Sequence, residues 1–157
     1  NARAFARSLN DKGVPVEGEA SDGFTETHQV LIRVKKFGPG MAMARRLEDN
    51  NILSNYQALP DDATFLDSSG IRLGVQEMTR FGMMDTDFDT VAGYIAEALI
   101  KNAPVKDEIK KFRRNFLEMK YCLPASEALP LAARVLKSAF PAPGFAEQLA
   151  DNLRQPS

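Results

Sequence analysis

The chain has 157 residues, of which 44% are hydrophobic and 26% are charged, a composition typical of a globular domain with a hydrophobic core. Its 20 basic and 21 acidic residues give a net charge of −1, which argues against nucleic acid or an anionic membrane as the main partner. A single cysteine excludes an internal disulfide and fits a reducing, cytoplasmic location. One histidine and one cysteine in the whole chain argue against a structural zinc site.

The first third of the chain alternates predicted helices and strands. Apolar residues at helical spacing in residues 2–9 predict a helix, and Gly13 supplies a left-handed stop. Val14-Pro15-Val16 predicts a short edge strand, where proline is tolerated. Residues 28–34 alternate between apolar and polar side chains, the pattern of a half-buried strand.

The middle of the chain continues this alternation. Gly38-Pro39-Gly40 predicts a helix start, because proline fits the first turn of a helix. The spacing predicts that three side chains of this helix face inward: Met41, Ala44 and Leu47. Residues 52–57 and 68–75 predict two more extended segments, and Asp85 or Thr86 is expected to cap the next helix.

From Pro104 onward the pattern is purely helical. One apolar stripe is formed by Val105, Ile109, Phe112, Phe116 and Met119. Basic residues lie on the other faces and indicate a solvated helix surface, with a binding patch as the alternative. Leu123-Pro124 predicts a helix break, and Phe145, Leu149 and Leu153 predict a last short helix. No apolar run is long enough to span a bilayer.

This order of elements predicts an α+β fold, a two-layer α/β sandwich. We expect a small, mostly antiparallel sheet with helices packed on one face, followed by a helical C-terminal extension. Because Asn1-Ala2-Arg3 reads like the middle of a helix, we also expect the chain to be part of a longer polypeptide.

The run Ser69-Gly70-Ile71-Arg72-Leu73-Gly74 is the most informative motif. It places one arginine in a short extended stretch between two glycines, whose lack of a side chain allows a ligand close to the backbone. A guanidinium binds a carboxylate through two parallel hydrogen bonds, so the motif is typical of a receptor for an amino-acid carboxylate. The alternative is an ordinary strand-edge arginine paired with a nearby aspartate or glutamate.

Three other features offer weaker candidates for chemistry. His28 has the residue type of a general base, but a histidine bonded locally at a strand entry explains it as well. Asp61-Asp62 could pair as acid and base or bind a cation. A turn after Pro60 is a simpler explanation of both residues. Gly38-Pro39-Gly40 lacks the fuller glycine pattern of a phosphate site. The chain therefore offers one anion receptor and no complete catalytic set.

Several motifs together resemble the C-terminal part of serine/glycine hydroxymethyltransferases, pyridoxal-phosphate enzymes of fold type I. The arginine motif is one of them, and Thr25-Glu26-Thr27-His28-Gln29-Val30-Leu31 resembles the family's "T-x-x-H-x-x-L" strand. Residues 47–60 resemble its "L…I-x-x-N…P" segment, and Val135-Leu136 with Phe140-Pro141 resembles its C-terminal "V-L…F/Y-P".

The resemblance implies a site shared between two parts of one enzyme. By this resemblance, Arg72 binds the carboxylate of the amino acid. Gln57 stands where the family has an asparagine that contacts folate, and it would contact the second substrate. It implies pyridoxal phosphate as the cofactor, bound mainly by a large domain of the same polypeptide, with no cofactor-binding or catalytic residue and no metal site within this chain. The expected activity is one-carbon transfer between serine and glycine, within amino-acid metabolism, in a homodimer.

The resemblance also implies a division of the chain. Residues 1–103 would form the small C-terminal-type domain, with residues 1–13 as its linking helix. Residues 104–157 would be a helical extension packed on that domain, and residues 106–126 look like an insertion.

Departures from the family pattern keep two alternatives open. Val75-Gln76-Glu77 stands where the family usually has Thr-Pro-Ala, and Gln57 replaces the asparagine, which puts the use of tetrahydrofolate in doubt. One alternative is a folate-independent enzyme like threonine aldolases or transaldolases. The other is a non-catalytic binding or assembly module that kept only the fold.

Overall fold

A computed structural model describes residues 1–120 and 125–139, together with Gly144 and Asp151. The chain divides into two compact units, Asn1–Lys120 and Tyr121–Ser157. The first unit contains α1 (Ala2–Asp11), β1 (Gln29–Arg33), α2 (Gly40–Asp49), β2 (Asn55–Gln57), β3 (Gly70–Gly74), α3 (Gln76–Arg80), α4 (Asp85–Ile100) and α5 (Lys106–Arg113). The described part of the second unit is mainly α6 (Ala125–Ala139).

The strands form one antiparallel sheet in the order β1-β3-β2, counting the described residues only. β3 is the central strand, and its Arg72 lies opposite Leu31 of β1 and Asn55 of β2. Residues opposite each other in an antiparallel sheet point to the same face. The small antiparallel sheet with packed helices confirms the predicted α+β fold class.

The two faces of the sheet differ in what covers them. Ile71 and Leu73 of β3 and Val30 and Ile32 of β1 are fully or almost fully buried and belong to the core that the helices cover. The residues that alternate with them, such as Arg72 and Leu31, are only partly buried. The sheet therefore has one face in the core and one open face.

Helices α1 and α4 pack together against the buried face. The rings of Phe5 and Phe88 lie 5.4 Å apart. Next to them, the Ser8 hydroxyl and the Lys12 ammonium both donate to the carboxylate of Asp89. These hydrogen bonds hold the pKa of Asp89 below its ordinary range, Lys12 contributing the larger effect and Ser8 the next. The contact between Phe5 and Phe88 and the hydrogen bonds to Asp89 therefore attach α1 to α4. Helix α1 is the segment that the resemblance implies as the linking helix.

Helix α2 begins at a close backbone contact with the residues that lead into β3. The Gly40 backbone N–H donates to the carbonyl of Ser68 over 2.9 Å. A Cβ at residue 40 would lie 2.5 Å from that carbonyl oxygen and 3.1 Å from the oxygen of Gly70. Only glycine fits at this contact, which fixes the position of the residues that lead into β3.

Helix α5 is part of the first unit. The side chain of Asn50, at the end of α2, accepts a hydrogen bond from the Val105 N–H over 2.8 Å and donates to the Arg46 carbonyl over 2.9 Å. The ring of Phe112 lies 5.9 Å from that of Tyr94 on α4. Asn50 and this aromatic contact attach α5 to the rest of the unit.

The structure corrects three local expectations. The N-cap of α4 is Met84, and Asp85 and Thr86 lie inside the helix. Val14-Pro15-Val16 is not a strand, because Pro15 has no N–H and only Val16 forms an isolated bridge, to Ile32. Met41 is 51% exposed, and Met43 is buried instead. Since α2 docks through Gly40, the inward positions are 40, 43, 44 and 47. The helix break at Leu123-Pro124 and the helix through Phe145, Leu149 and Leu153 lie outside the described residues.

Candidate functional site

Arg72 lies at the centre of the open face of the sheet. Strand alternation places it there because its neighbours Ile71 and Leu73 are both buried in the core. Within the part of the chain that the structure describes, no carboxylate lies within 4 Å of its guanidinium. A partly buried arginine without a carboxylate partner among the described residues is available to bind an anion from outside.

Arg33 on the same face shows the opposite arrangement. It lies diagonally across from Arg72, since its partner on β3 is Gly70. Its guanidinium lies 2.5 Å from the Glu17 carboxylate and donates to Asp61 over 2.9 Å. The hydrogen bonds that the guanidinium donates to Glu17 and then to Asp61 raise the pKa of Arg33. Among the residues that the structure describes, the alternative of an arginine paired with nearby acids therefore fits Arg33 and not Arg72.

Arg72 forms one wall of a cleft of about 640 Å³. Its other polar walls come from three segments, the start of β1, the end of α2 with the start of β2, and the start of α3, and they are Gln29, Glu48, Ser54, Asn55, Gln76 and Glu77. Leu53 also lines the cleft and is 82% exposed. The site thus combines one guanidinium, several amides and two carboxylates beside an exposed apolar side chain.

The loop before β3 is held by Asp62. Its carboxylate accepts the N–H groups of Leu59 and Ser69, each over 2.8 Å. Asp62 therefore organises a turn and fixes the start of the strand that carries Arg72, which agrees with the turn interpretation of Asp61-Asp62. The backbone hydrogen bond from Leu59 contributes most to a pKa of Asp62 below its ordinary range, followed by Ser69.

This depressed pKa predicts how the stability of the chain depends on pH. An aspartate with a lower pKa when folded stabilises the fold above its unfolded pKa of about 4, and the contribution is lost as pH falls below that value. We expect Asp62→Asn to lower the free energy of unfolding at pH 7 and to flatten its decrease between about pH 5 and pH 3.

Urea unfolding across this pH range measures the effect. Glu26→Gln is the matched control, because the exposed Glu26 makes no side-chain hydrogen bond within the described residues. An Asp62→Asn profile parallel to that of the unmodified chain would show that Asp62 does not carry the pH dependence.

Gln57 shares the open face with Arg72. It lies opposite Gly70, two residues along β2 from Asn55, which lies opposite Arg72. Its side-chain amide makes one long hydrogen bond, to the Ala58 carbonyl at 3.3 Å. A Cβ at residue 70 would lie 2.8 Å from the Gln57 carbonyl oxygen. Gly70 therefore allows β2 and β3 to pack closely at this position.

The remaining candidates do not add to the cleft. His28 is exposed, and its backbone carbonyl accepts the Val75 N–H. No group of histidine, cysteine or acidic residues within the described residues could hold a metal ion. No described lysine lines the cleft, so its residues do not fit covalent attachment of a carbonyl cofactor. They fit the carboxylate of a ligand.

Several cleft residues were not found from the sequence. Asn55 shares its face with Gln57 through the two-residue period of a strand, a signal that the sequence does contain. Glu48 lies on α2 and reaches the cleft through the packing of that helix beside β2. Glu77 was visible only as a departure from the family pattern. Long-range packing, which no local pattern encodes, brings these carboxylates beside Arg72.

Comparisons with known proteins agree with this architecture. The family model "Serine hydroxymethyltransferase" matches residues 1–95. A curated serine hydroxymethyltransferase from Pyrobaculum arsenaticum is 49% identical over 123 residues, which cover 77% of this chain and 28% of that protein. The enzyme of the same name from Sulfolobus acidocaldarius is 41% identical over 141 residues, or 87% of this chain and 32% of that protein. The chain therefore spans about a third or less of these relatives.

A solved structure shares the fold over most of the chain. It is the L-threonine transaldolase from Pseudomonas fluorescens in its internal aldimine state. The match has a TM-score of 0.67 and 34% sequence identity, and it covers 88% of this chain and 32% of that one. No described helix is both long and apolar enough to cross a membrane.

Proposed function

Because the chain belongs to the serine hydroxymethyltransferase family, we propose that it forms the C-terminal domain of a pyridoxal-phosphate-dependent enzyme that transfers a one-carbon unit between serine and glycine. One observation carries this proposal: Arg72 lies on the open face of the sheet with no carboxylate of the described residues within 4 Å. In this role Arg72 binds the carboxylate of the amino-acid substrate.

The contribution of Arg72 would be orientation. A bidentate, charge-assisted contact contributes about 1.5–3 kcal/mol net and fixes the direction of the bound amino acid. Holding the reacting bond in one direction lowers the entropic part of the barrier. The planar guanidinium suits this task better than a lysine ammonium, which binds as a point charge.

The cofactor and the remaining catalytic groups would come from outside this chain. In the family, pyridoxal phosphate acts as an electron sink for the amino acid. Since no described lysine lines the Arg72 cleft, we assign cofactor binding to a large domain of the same polypeptide. Leu53 in the cleft is exposed, which supports the proposal that another domain covers this surface. The intact protein would be a cytoplasmic homodimer, and this chain alone would be inactive.

A folate-independent aldolase or transaldolase is the second candidate. It is favoured by the structural match to a threonine transaldolase over 88% of the chain. It is also favoured by Gln57, whose longer side chain stands in place of an asparagine. In this alternative Arg72 keeps its role, and the second substrate is an aldehyde. A non-catalytic module would instead leave Arg72 without a ligand.

The visible absorbance of the full-length, cofactor-loaded protein with glycine separates these candidates. We expect added tetrahydrofolate to change the glycine-dependent spectrum if the protein is a hydroxymethyltransferase. An unchanged spectrum at saturating folate, together with turnover of threonine and an aldehyde, would replace that assignment with a transaldolase. Absence of any glycine-dependent spectrum would support the non-catalytic module.

A further inference from the structure

A second cavity, of about 560 Å³, lies beside the Arg72 cleft and reaches the hydrophobic core of the first unit. Leu53, Gly74 and Glu77 line both the cleft and this second cavity. Arg72 does not line the second cavity. Five of its walls are core side chains that are at most 4% exposed: Phe5, Leu73, Met83, Phe88 and Ile95. The second cavity is therefore adjacent to the Arg72 guanidinium but separate from it.

Helix α5 and the turn after it form another part of the wall. Ile109 and Phe112 of α5 and Leu117 line the second cavity. The ring of Phe112 packs against Tyr94 of α4, which also lines it. The family model matches residues 1–95, so this part of the wall comes from a segment outside that match. The second cavity is thus built partly from residues that the family model does not include.

The size and the lining of the second cavity are those of a small-molecule site. Pockets that bind small ligands usually have volumes of about 300–1,000 Å³ and mostly apolar walls with a few polar groups. Packed protein interiors otherwise contain few voids larger than a water molecule. Since burial of apolar surface is favourable, the aromatic and aliphatic walls suit a ligand with an apolar body.

The charged groups that line the second cavity are mainly positive. Lys110, Arg113 and Arg114 stand against the single carboxylate of Glu77, which leaves an excess of two positive charges. Within the described part of the chain, no carboxylate lies within 4 Å of these three basic groups. Arg113 donates to the carbonyl of Phe116, whereas Lys110 and Arg114 remain available. An anionic group on the ligand would complement these charges.

We propose that the second cavity binds an amphipathic carboxylate. Its apolar chain lies among the core and aromatic walls, and its carboxylate contacts Lys110 and Arg114. The inference goes beyond the proposed function and does not depend on the role of Arg72. It supports a binding patch, rather than a solvated helix surface alone, for the basic residues that follow Pro104.

Calorimetric titration of the full-length protein with decanoate tests the inference. We expect one decanoate to bind per chain and acetate not to compete, because acetate lacks the apolar chain. The double variant Lys110→Gln/Arg114→Gln should weaken decanoate binding about tenfold, the effect of two charge contacts close to solvent. The same variant should leave the affinity for 1-decanol, which has no charge, within about twofold.

Lys111→Gln is the matched control, because Lys111 follows Lys110 on α5 but does not line the second cavity. It should change neither affinity. Val91→Phe, which adds bulk to the wall, should weaken decanoate and 1-decanol alike, and thermal unfolding checks that each variant is folded.

Three results would overturn the inference. They are no saturable binding of decanoate, equal losses of decanoate and 1-decanol in the double variant, and loss of decanoate binding in Arg72→Ala. The last result would place the ligand in the Arg72 cleft. Glycine affinity should be unchanged in the double variant, so a failure of this inference and a failure of the carboxylate role of Arg72 are measured with different ligands.

Discussion

Arg72→Ala in the full-length protein is expected to raise the apparent KM for the amino-acid substrate by about 100-fold, while the domain stays folded. The factor corresponds to about 2.8 kcal/mol, the upper range of a bidentate, charge-assisted contact. The fold should tolerate the change, because Arg72 makes no ion pair with the described residues and its side chain lies outside the core.

Two variants sharpen this prediction. Arg72→Lys should restore little of the affinity, because an ammonium lacks the planar fork of a guanidinium. Arg33→Ala is the matched control on the same face of the sheet. It removes the contacts to Glu17 and Asp61 and should cost at most about 1 kcal/mol of stability, with KM unchanged. Steady-state kinetics and thermal unfolding of the three variants and the unmodified protein provide the comparison. An unaltered KM in Arg72→Ala would remove Arg72 from the site.

Gly40→Ala is expected to destabilise the chain by about 1–3 kcal/mol, the usual cost of an added methyl group in a packed interior. The new Cβ would lie 2.5 Å from the Ser68 carbonyl oxygen, which is backbone and cannot rotate away. Relief of the clash requires α2 to move from the loop that leads into β3. Because that loop sets the position of Arg72, the affinity for the amino acid should fall as well.

Gly93→Ala is the matched control for this substitution. Gly93 lies inside α4, where a Cβ would meet only the Lys12 side chain, at the ordinary contact distance of 3.7 Å. Replacing a helical glycine by alanine where space allows stabilises a protein by about 0.5–1 kcal/mol. Urea unfolding should therefore give changes of opposite sign for the two variants. A stabilising Gly40→Ala would show that the contact between α2 and β3 is looser than the structure describes.

Much of the fold follows from local patterns in the sequence. The alternation in residues 28–34 predicted β1, because a two-residue period fixes both the strand and its buried face, and residues 68–75 were predicted as the extended segment that contains β3. In β3 the same period buries Ile71 and Leu73 and places Arg72 on the face opposite the core. The antiparallel pairing of these strands agrees with the fold class predicted from the order of the elements.

Other features depend on contacts that no local pattern encodes. The helical period alone placed Met41 inward, whereas the docking of Gly40 on Ser68 turns α2 so that Met43 is buried. In the same way, no local pattern indicates that Glu48 of α2 reaches the Arg72 cleft. Position along a helix can be predicted, but the rotation of the helix against its sheet depends on tertiary packing.

The most direct test of the account is the coupling between Arg72 and the substrate carboxylate. It is measured from the affinities of the full-length protein and its Arg72→Ala variant for glycine and for glycinamide, whose amide replaces the carboxylate. If the guanidinium binds the carboxylate, Arg72→Ala weakens glycine about 100-fold and leaves glycinamide nearly unchanged. Equal losses for both compounds, or no loss for either, would contradict that role.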